Sequence, residues 1–338
     1  MAKSLCEIVP DVAAQDLVAG LVPPPHFGQV RLDSYRPDPY YSSQAAAVAG
    51  ARAFVAAAGQ PRRRGWLRRA APAEARPGIY FAGGFGVGKT HLLASIWHAT
   101  EGSKAFGTFV EYTHLVGALG FAGAVEALSS LSLVCIDEFE LDDPGDTVLM
   151  SSLLMALTER GVRLAATSNT LPDALGEGRF AADDFLREIQ GLSAHFDVIR
   201  IDGVDYRHRG VPTAPPARAE DEVFALVSAT PGATFDRFDA VCEHLSRVHP
   251  SKYARLVDGI PLVGLTGVHQ LITQDVALRL VVLVDRLYDN DVPVAAAGES
   301  LGAIFSPEML RGGYRKKYFR ALSRLSALAQ LVGDRSRM

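Results

Sequence analysis

Ile79-Tyr80-Phe81-Ala82-Gly83-Gly84-Phe85-Gly86-Val87-Gly88-Lys89-Thr90-His91-Leu92 is an apolar run, a glycine-rich turn and the first residues of an amphipathic segment. Residues 83–90 fit G-x-x-x-x-G-K-[ST] with nothing left over. Each part has a physical task. Gly83, Gly84, Gly86 and Gly88 let backbone N–H groups converge on an anion without a Cβ in the way, with Phe85 and Val87 between them. The helix that follows presents its positive N-terminus to phosphate. Lys89 places a point charge on the β and γ oxygens, and the Thr90 hydroxyl is suited to magnesium. His91 continues the run into the helix, so residues 83–91 form the candidate nucleotide-binding segment.

The pattern around this segment is α/β. Strands are expected at Ile79 to Ala82, Gly107 to Val110, Leu131 to Ile136, Arg163 to Thr167 and Val198 to Ile201. Helices are expected from Lys89, near His114, from Gly145 and from Asp183. Leu149, Leu153, Ala156 and Leu157 share one face of the 145–160 helix. Alternation of this kind builds a parallel sheet covered by helices on both faces. Residues 1–43, with Val22-Pro23-Pro24-Pro25 and Tyr35-Arg36-Pro37-Asp38-Pro39, read as an extended arm. The core spans 44–210 and opens on an alanine-rich helix from Gln44 to about Ala58. Val211-Pro212-Thr213-Ala214-Pro215-Pro216-Ala217 marks a boundary before a smaller, lid-like region over 211–338. That region reads as helices near 219–228 and 235–248, a strand–helix–strand unit (260–265, 274–289, 292–296), and a basic helix over 314–331. The 274–289 helix is apolar nearly all round and is expected to be buried on most sides. Whether this unit extends the main sheet is open.

The second half of the site follows the apolar run Leu131 to Ile136. Asp137 at its end reaches the C-terminal edge of the sheet, where parallel sheets place ligands. Asp137 is the candidate magnesium residue beside Thr90, and Glu138 the candidate group that polarises the attacking water. Leu164-Ala165-Ala166-Thr167-Ser168-Asn169 is a further apolar strand with a polar end. Were it to lie between the P-loop strand and the Asp-Glu strand, Asn169 would face the γ-phosphate and orient water. These spacings are the plan of AAA+ ATPases, which often borrow an arginine from a neighbouring subunit. Arg179 and Arg187 are the candidates for that role, with helix-surface ion pairs as the alternative.

The stretch Cys135-Ile136-Asp137-Glu138-Phe139-Glu140, with Asp143 and Asp146, resembles the ZapE family of AAA+ cell-division ATPases. The resemblance continues through Ala166-Thr167-Ser168-Asn169, Pro172, Leu175 and Gly178-Arg179. It resumes at Asp205-Tyr206-Arg207, Leu283-Val284-Asp285, Leu287-Tyr288-Asp289, Arg320 and Ser323-Arg324-Leu325. It has the look of an actinobacterial-type branch. The resemblance implies an ATP hydrolase that forms nucleotide-dependent homo-oligomers and acts on the tubulin-like protein of the Z-ring. It favours Arg179 as the trans arginine, gives Arg320 or Arg324 a route to the nucleotide from the lid (with a solvated basic face as the alternative), and places Gln44 near the adenine. It also favours ATP over GTP; no guanine-reading N-K-x-D motif is present.

Composition narrows the rest. The chain has 338 residues, 48% hydrophobic and 21% charged, with a net charge of −4. That balance suits a globular protein of one large or two moderate domains, and gives no reason to expect bulk nucleic-acid binding. Cys6, Cys135 and Cys242 are odd in number and widely spaced, which suits a reducing compartment. The first residues lack the apolar run of a secretory leader, and no stretch is long and apolar enough for a membrane span. A cytosolic protein with at most peripheral membrane attachment is therefore expected. The cluster Arg62 to Arg69 around Trp66 reads as a solvated basic loop or a site for an acidic partner. Tyr112-Thr113-His114 is a candidate substrate-facing loop by fold analogy alone. Gly88-Lys89-Thr90-His91-Leu92 also resembles helicase loaders, so a nucleic-acid-dependent ATPase is the main alternative, and a nucleotide-gated scaffold is a third.

Overall fold

The computed structural model describes residues 3–10, 14–58, 78–84, 86–140, 144–172, 175, 191, 193–203 and 214–335. The chain divides into two compact units, Ala14–His208 and Met1–Ala13 with Arg209–Met338. The segment expected as a single arm is therefore shared, its first residues joining the C-terminal unit. It is also less extended than its prolines suggest. A short helix α1 (Ala14–Ala19) and 3-10 turns at Pro25–Phe27 and Leu32–Ser34 interrupt it.

In the larger unit, helix α2 (Ser42–Ala58) precedes β1 (Gly78–Gly83), α3 (Lys89–Ala99), β2 (Lys104–Thr108), α4 (Phe109–Ser129), β3 (Leu133–Asp137), α5 (Pro144–Glu159), β4 (Arg163–Ser168) and β5 (Phe196–Ile201). The five strands are parallel in the order β2-β3-β4-β1-β5. Side chains alternate across this sheet, as a period of two requires. Tyr80, Val134, Ile136 and Leu164 face the core built by α4 and α5, while Ile79, Phe81, Leu133 and Cys135 face the core built by α2 and α3. Burial on both faces is why these strands read as continuous apolar runs.

β2 lies earlier than its apolar residues suggested, because Thr108 ends the strand and caps α4. Its hydroxyl accepts from Glu111 N at 3.3 Å, and Glu111 Oε2 accepts from Thr108 N at 2.7 Å. Residues 108–111 thus form a capping box. Tyr112, Thr113 and His114 therefore lie within α4, not in a substrate-facing loop. Tyr112 is fully buried and donates to Cys135 O at 3.0 Å. On α5 the buried stripe is Met150, Leu153, Leu154 and Leu157.

The C-terminal unit holds α6 (Glu220–Ala229), β6 (Thr234–Arg237), α7 (Phe238–Arg247), α8 (Tyr253–Leu256), β7 (Val263–Val268), α9 (Gln274–Asp289), β8 (Val294–Gly298) and α10 (Arg315–Arg335). Its three strands form their own parallel sheet, β6-β7-β8. The strand–helix–strand unit thus belongs to a separate sheet from the P-loop strand. β6 occupies residues read from sequence as the start of a helix, because Phe235, Phe238, Val241 and Leu245 recur at helical spacing across the junction. α7, α9 and most of α10 cover one face of this sheet, and α6 with Val332 near the end of α10 covers the other. No residue from Val276 to Asp289 is exposed, as the apolar character of α9 requires. The N-terminal segment pairs beside β6: Lys3 N donates to Ala233 O at 3.1 Å, and Phe235 N to Lys3 O at 2.9 Å.

Candidate active site

β1 delivers the chain to Gly83 and Gly84, and the turn closes on Gly86 (φ +81°) and Gly88 (φ +83°). Gly88 is the N-cap of α3 and offers no side chain to the first N–H groups of that helix. Those donors are thereby presented to an anion. Phe85 lies outside the described residues. Lys89 Nζ donates to Gly83 O at 2.9 Å, Gly84 O at 2.6 Å and Asn169 Oδ1 at 2.9 Å. The last contact exists because β4 lies between β1 and β3, the placement on which the Asn169 role depended. With Oδ1 turned to an ammonium, the Asn169 amide directs its N–H₂ donors elsewhere, toward an acceptor such as phosphate or water.

Asp137 ends β3 and is nearly buried, at 7% exposure. It accepts from the Thr90 hydroxyl at 3.0 and 3.2 Å and from the Thr167 hydroxyl. Burial, and secondarily the charge of Glu138, push its carboxyl up to about 6; the bonds from Thr167 and Thr90 and the charge of Lys89 pull the other way. A buried carboxylate whose charge is disfavoured, next to a hydroxyl, is a hard-oxygen pair suited to Mg²⁺ when phosphate oxygens and water complete the shell. Among the described residues no group of three or more His, Cys, Asp or Glu could hold a metal ion. A cation here would rest on Thr90, Asp137 and the nucleotide together.

Glu138 has φ +54°, a left-handed conformation that is costly for a residue with a side chain. Its neighbours hold it there: Glu138 N donates to Thr167 Oγ1 at 3.1 Å, and Phe139 N to Thr167 O at 2.7 Å. The Phe139 ring is buried edge-on to Phe109 and Tyr80. The structure thus joins Lys89 to Asn169 and Thr90 to Asp137 by hydrogen bonds, with Glu138 the next residue after Asp137.

The other sequence candidates fall elsewhere. Gln44 is buried, accepts from Asp38 N at 2.8 Å and donates to Asp202 O at 3.0 Å, close to Val87 across Gly203. The His91 ring engages Ser34 Oγ at 3.0 Å and Arg31 O at 3.2 Å and meets the Tyr35 ring, so its partners are protein groups. Arg320 and Arg324 belong to the C-terminal unit. Both pair with the Asp285 carboxylate, and Arg324 also lies against the Tyr288 ring. Arg179, Arg187, the Arg62–Arg69 cluster and the Asp205-Tyr206-Arg207 segment lie outside the described residues. Sequence reading missed Tyr35, whose hydroxyl donates to Val87 O at 2.6 Å and whose ring packs on Gly88. It also missed the roles of Thr167 and Glu140, although both lie in motif segments, 166–169 and 135–140.

The profile of the AFG1-like ATPase family matches residues 12–230 and 225–334. The cell division protein ZapE of Escherichia coli strain K12 is 34% identical over 149 residues, covering 40% of each chain. Lactation elevated protein 1 homolog B of Danio rerio is 25% identical over 280 residues, covering 66% of this chain and 56% of that one. The chain thus spans about half the length of these relatives, or less. Among solved structures, Aquifex aeolicus DnaA bound to AMPPCP gives a TM-score of 0.38 at 14% identity, covering 51% of this chain and 50% of that one. The DnaC helicase loader gives 0.36 at 18%, covering 52% and 99%. Both likenesses are too distant to carry an argument. The family match extends through both units, and the chain belongs to the AFG1-like ATPase family of ATP hydrolases.

Proposed function

We propose that this chain hydrolyses ATP with magnesium at the site described, and uses the cycle to remodel a protein partner in cell division. The contact of Lys89 with Asn169, and of Thr90 with Asp137, carries the reading of turnover. It joins the P-loop to the two strand ends that a hydrolase needs. The N–H groups at the start of α3 and the Lys89 ammonium hold the β and γ phosphates. Thr90 and Asp137 would hold Mg²⁺, which when bound supplies charge neutralisation across those phosphates. Asn169 orients water with its amide, and Glu138 accepts a proton from that water as its oxygen forms the new bond to Pγ. The bond from Pγ to the β–γ bridging oxygen breaks, and Lys89 steadies the negative charge left on ADP.

Three finer readings rest on resemblance. Similarity to the cell division protein ZapE of E. coli supports a division-site role, and with it the tubulin-like division protein as partner. A homo-oligomer sharing Arg179 in trans follows from the AAA+ plan. The actinobacterial-type branch rests on sequence resemblance alone. No helix among the described residues is long and apolar enough to cross a membrane, and we place the protein in the cytosol. Gln44, which contacts Asp202 beside Val87, is kept as the adenine-side residue.

ATP turnover measured alone, with the polymerised division protein and with single-stranded DNA separates the readings. Stimulation by the polymer and not by DNA is expected. Stimulation by DNA alone, with steep salt dependence, would replace the remodeller by an ATPase of the helicase-loader type.

A further inference from the structure

The backbone ladder between β3 and β4 ends at Ile136 and Ala166. Beyond it, past the single backbone bond from Phe139 N to Thr167 O, the two strand ends that carry Glu138 and Asn169 are joined through a side chain. Glu140 Oε1 accepts from Ser168 Oγ at 3.0 Å and from Asn169 N at 3.1 Å, and Oε2 accepts from Thr170 Oγ1 at 3.1 Å. Ser168 Oγ in turn accepts from Thr170 N at 2.9 Å, and Tyr80 donates to Thr170 O at 3.0 Å. One carboxylate thus grips three consecutive residues of the opposite strand end, the middle one by its backbone.

We propose that Glu140 is a positioning residue for hydrolysis: it clasps Ser168, Asn169 and Thr170 so that the Asn169 amide and the Glu138 carboxylate are held in register at the γ-phosphate. The inference rests on the roles given to Glu138 and Asn169 above. Glu138 sits two residues before Glu140, in a left-handed conformation that an unanchored strand end would relax. Phe139 is fixed between by its buried ring and its bond to Thr167 O, so Glu138 is braced on its C-terminal side by Phe139 and Glu140. On the other strand, Asn169 N is fixed by Glu140 while Asn169 Oδ1 is fixed by Lys89. Loss of the clasp would free both groups by an ångström or so, a displacement that costs catalysis heavily while leaving phosphate binding to the P-loop.

The role needs two hydrogen-bonding atoms in place at the end of the side chain; it does not need a proton to be taken. Glutamine provides an amide oxygen for Ser168 and Asn169, and an N–H for Thr170, whose hydroxyl can also accept. The experiment compares Glu140→Ala, Glu140→Gln, Thr170→Val and Glu138→Gln in the full chain. It measures kcat, affinity for a non-hydrolysable ATP analogue, binding stoichiometry and Tm. Glu140→Ala is expected to lower kcat about 10–100-fold per bound site with affinity changed less than about threefold. Glu140→Gln should restore most of that loss, and Thr170→Val, which removes one arm of the clasp, should lower kcat by about threefold.

If Glu140→Ala folds poorly, the Thr170→Val and Glu140→Gln rates decide. Wild-type kcat per site in Glu140→Ala, or in Thr170→Val with a normal Tm, overturns the clasp. A Glu140→Gln enzyme as slow as Glu140→Ala, or slow while Thr170→Val is normal, would show that the charge itself is required, and also overturns it. Glu138→Gln separates the two levels. Abolished turnover there with a normal Glu140→Ala rate sinks this inference alone, whereas normal turnover in Glu138→Gln sinks the reading beneath it as well.

Discussion

Glycine at position 88 meets two separate demands. Its φ of +83° is open to glycine at little cost, and a Cβ there would lie 2.5 Å from the Tyr35 ring. Gly88→Ala is therefore expected to weaken nucleotide binding by at least about 1–2 kcal/mol, roughly 5–30-fold, measured by titration with a fluorescent ATP analogue. Asp137 makes a second prediction. Its carboxyl is pushed up to about 6 in the folded protein, above its unfolded value. A raised carboxyl favours the folded state only while it is protonated, so this contribution is full below about pH 4 and fades as pH rises through about 6. Asp137→Asn, which mimics the protonated form, should match wild type in urea stability near pH 4 and exceed it by about 1–3 kcal/mol at pH 8 without nucleotide. A gap that instead widens toward acid would contradict the assigned environment. The motif residues were legible because a P-loop is local: spacing alone identifies Lys89 and Thr90. Glu140 and Tyr35 act across 28 and 52 residues of sequence, and no spacing rule announces such partners.

Among the elements, α4 and α10 show what periodicity reads and what it omits. The Thr108–Glu111 capping box was present in the sequence as T-x-x-E, yet the apolar residues Phe109 and Val110 drew the strand forward past it. Thr108→Ala is expected to cost about 1 kcal/mol in chemical denaturation, because it removes the side-chain cap of a long helix. Burial pushes the Asp285 carboxyl up, but Arg320 and Arg324 more than offset this and hold it below the ordinary carboxylate range. Its stabilising contribution is thus present above the unfolded carboxylate value and lost as pH falls through the lower folded one. Asp285→Asn should destabilise the C-terminal unit by about 3–5 kcal/mol at pH 7, since it removes the carboxylate charge that two partly buried guanidinium groups share. That difference should shrink in strong acid. The R-x-x-S-R-L pattern was legible, and so was the Leu283-Val284-Asp285 pattern. Their pairing with each other was not, because a charge on one helix does not name its partner on another.

For the whole molecule, the sheet order β2-β3-β4-β1-β5 is the feature on which the proposed chemistry depends. Strand–helix alternation established a parallel sheet, but order is a tertiary property, so the position of β4 beside both β1 and β3 stood in the sequence only as a condition. The same limit hid the separate C-terminal sheet, whose apolar segments look like any other buried strands. With β4 in the middle, the Lys89 ammonium meets the Asn169 amide and the Thr90 hydroxyl meets Asp137, and under the proposed mechanism Glu138 is the residue whose loss should stop chemistry without stopping binding. The decisive measurement is magnesium-dependent ATP hydrolysis by wild type and Glu138→Gln, with nucleotide affinity measured on the same samples. If Glu138 takes the proton from water, wild type shows steady turnover and Glu138→Gln falls by at least about 100-fold with affinity preserved. Equal turnover in the two proteins would contradict it.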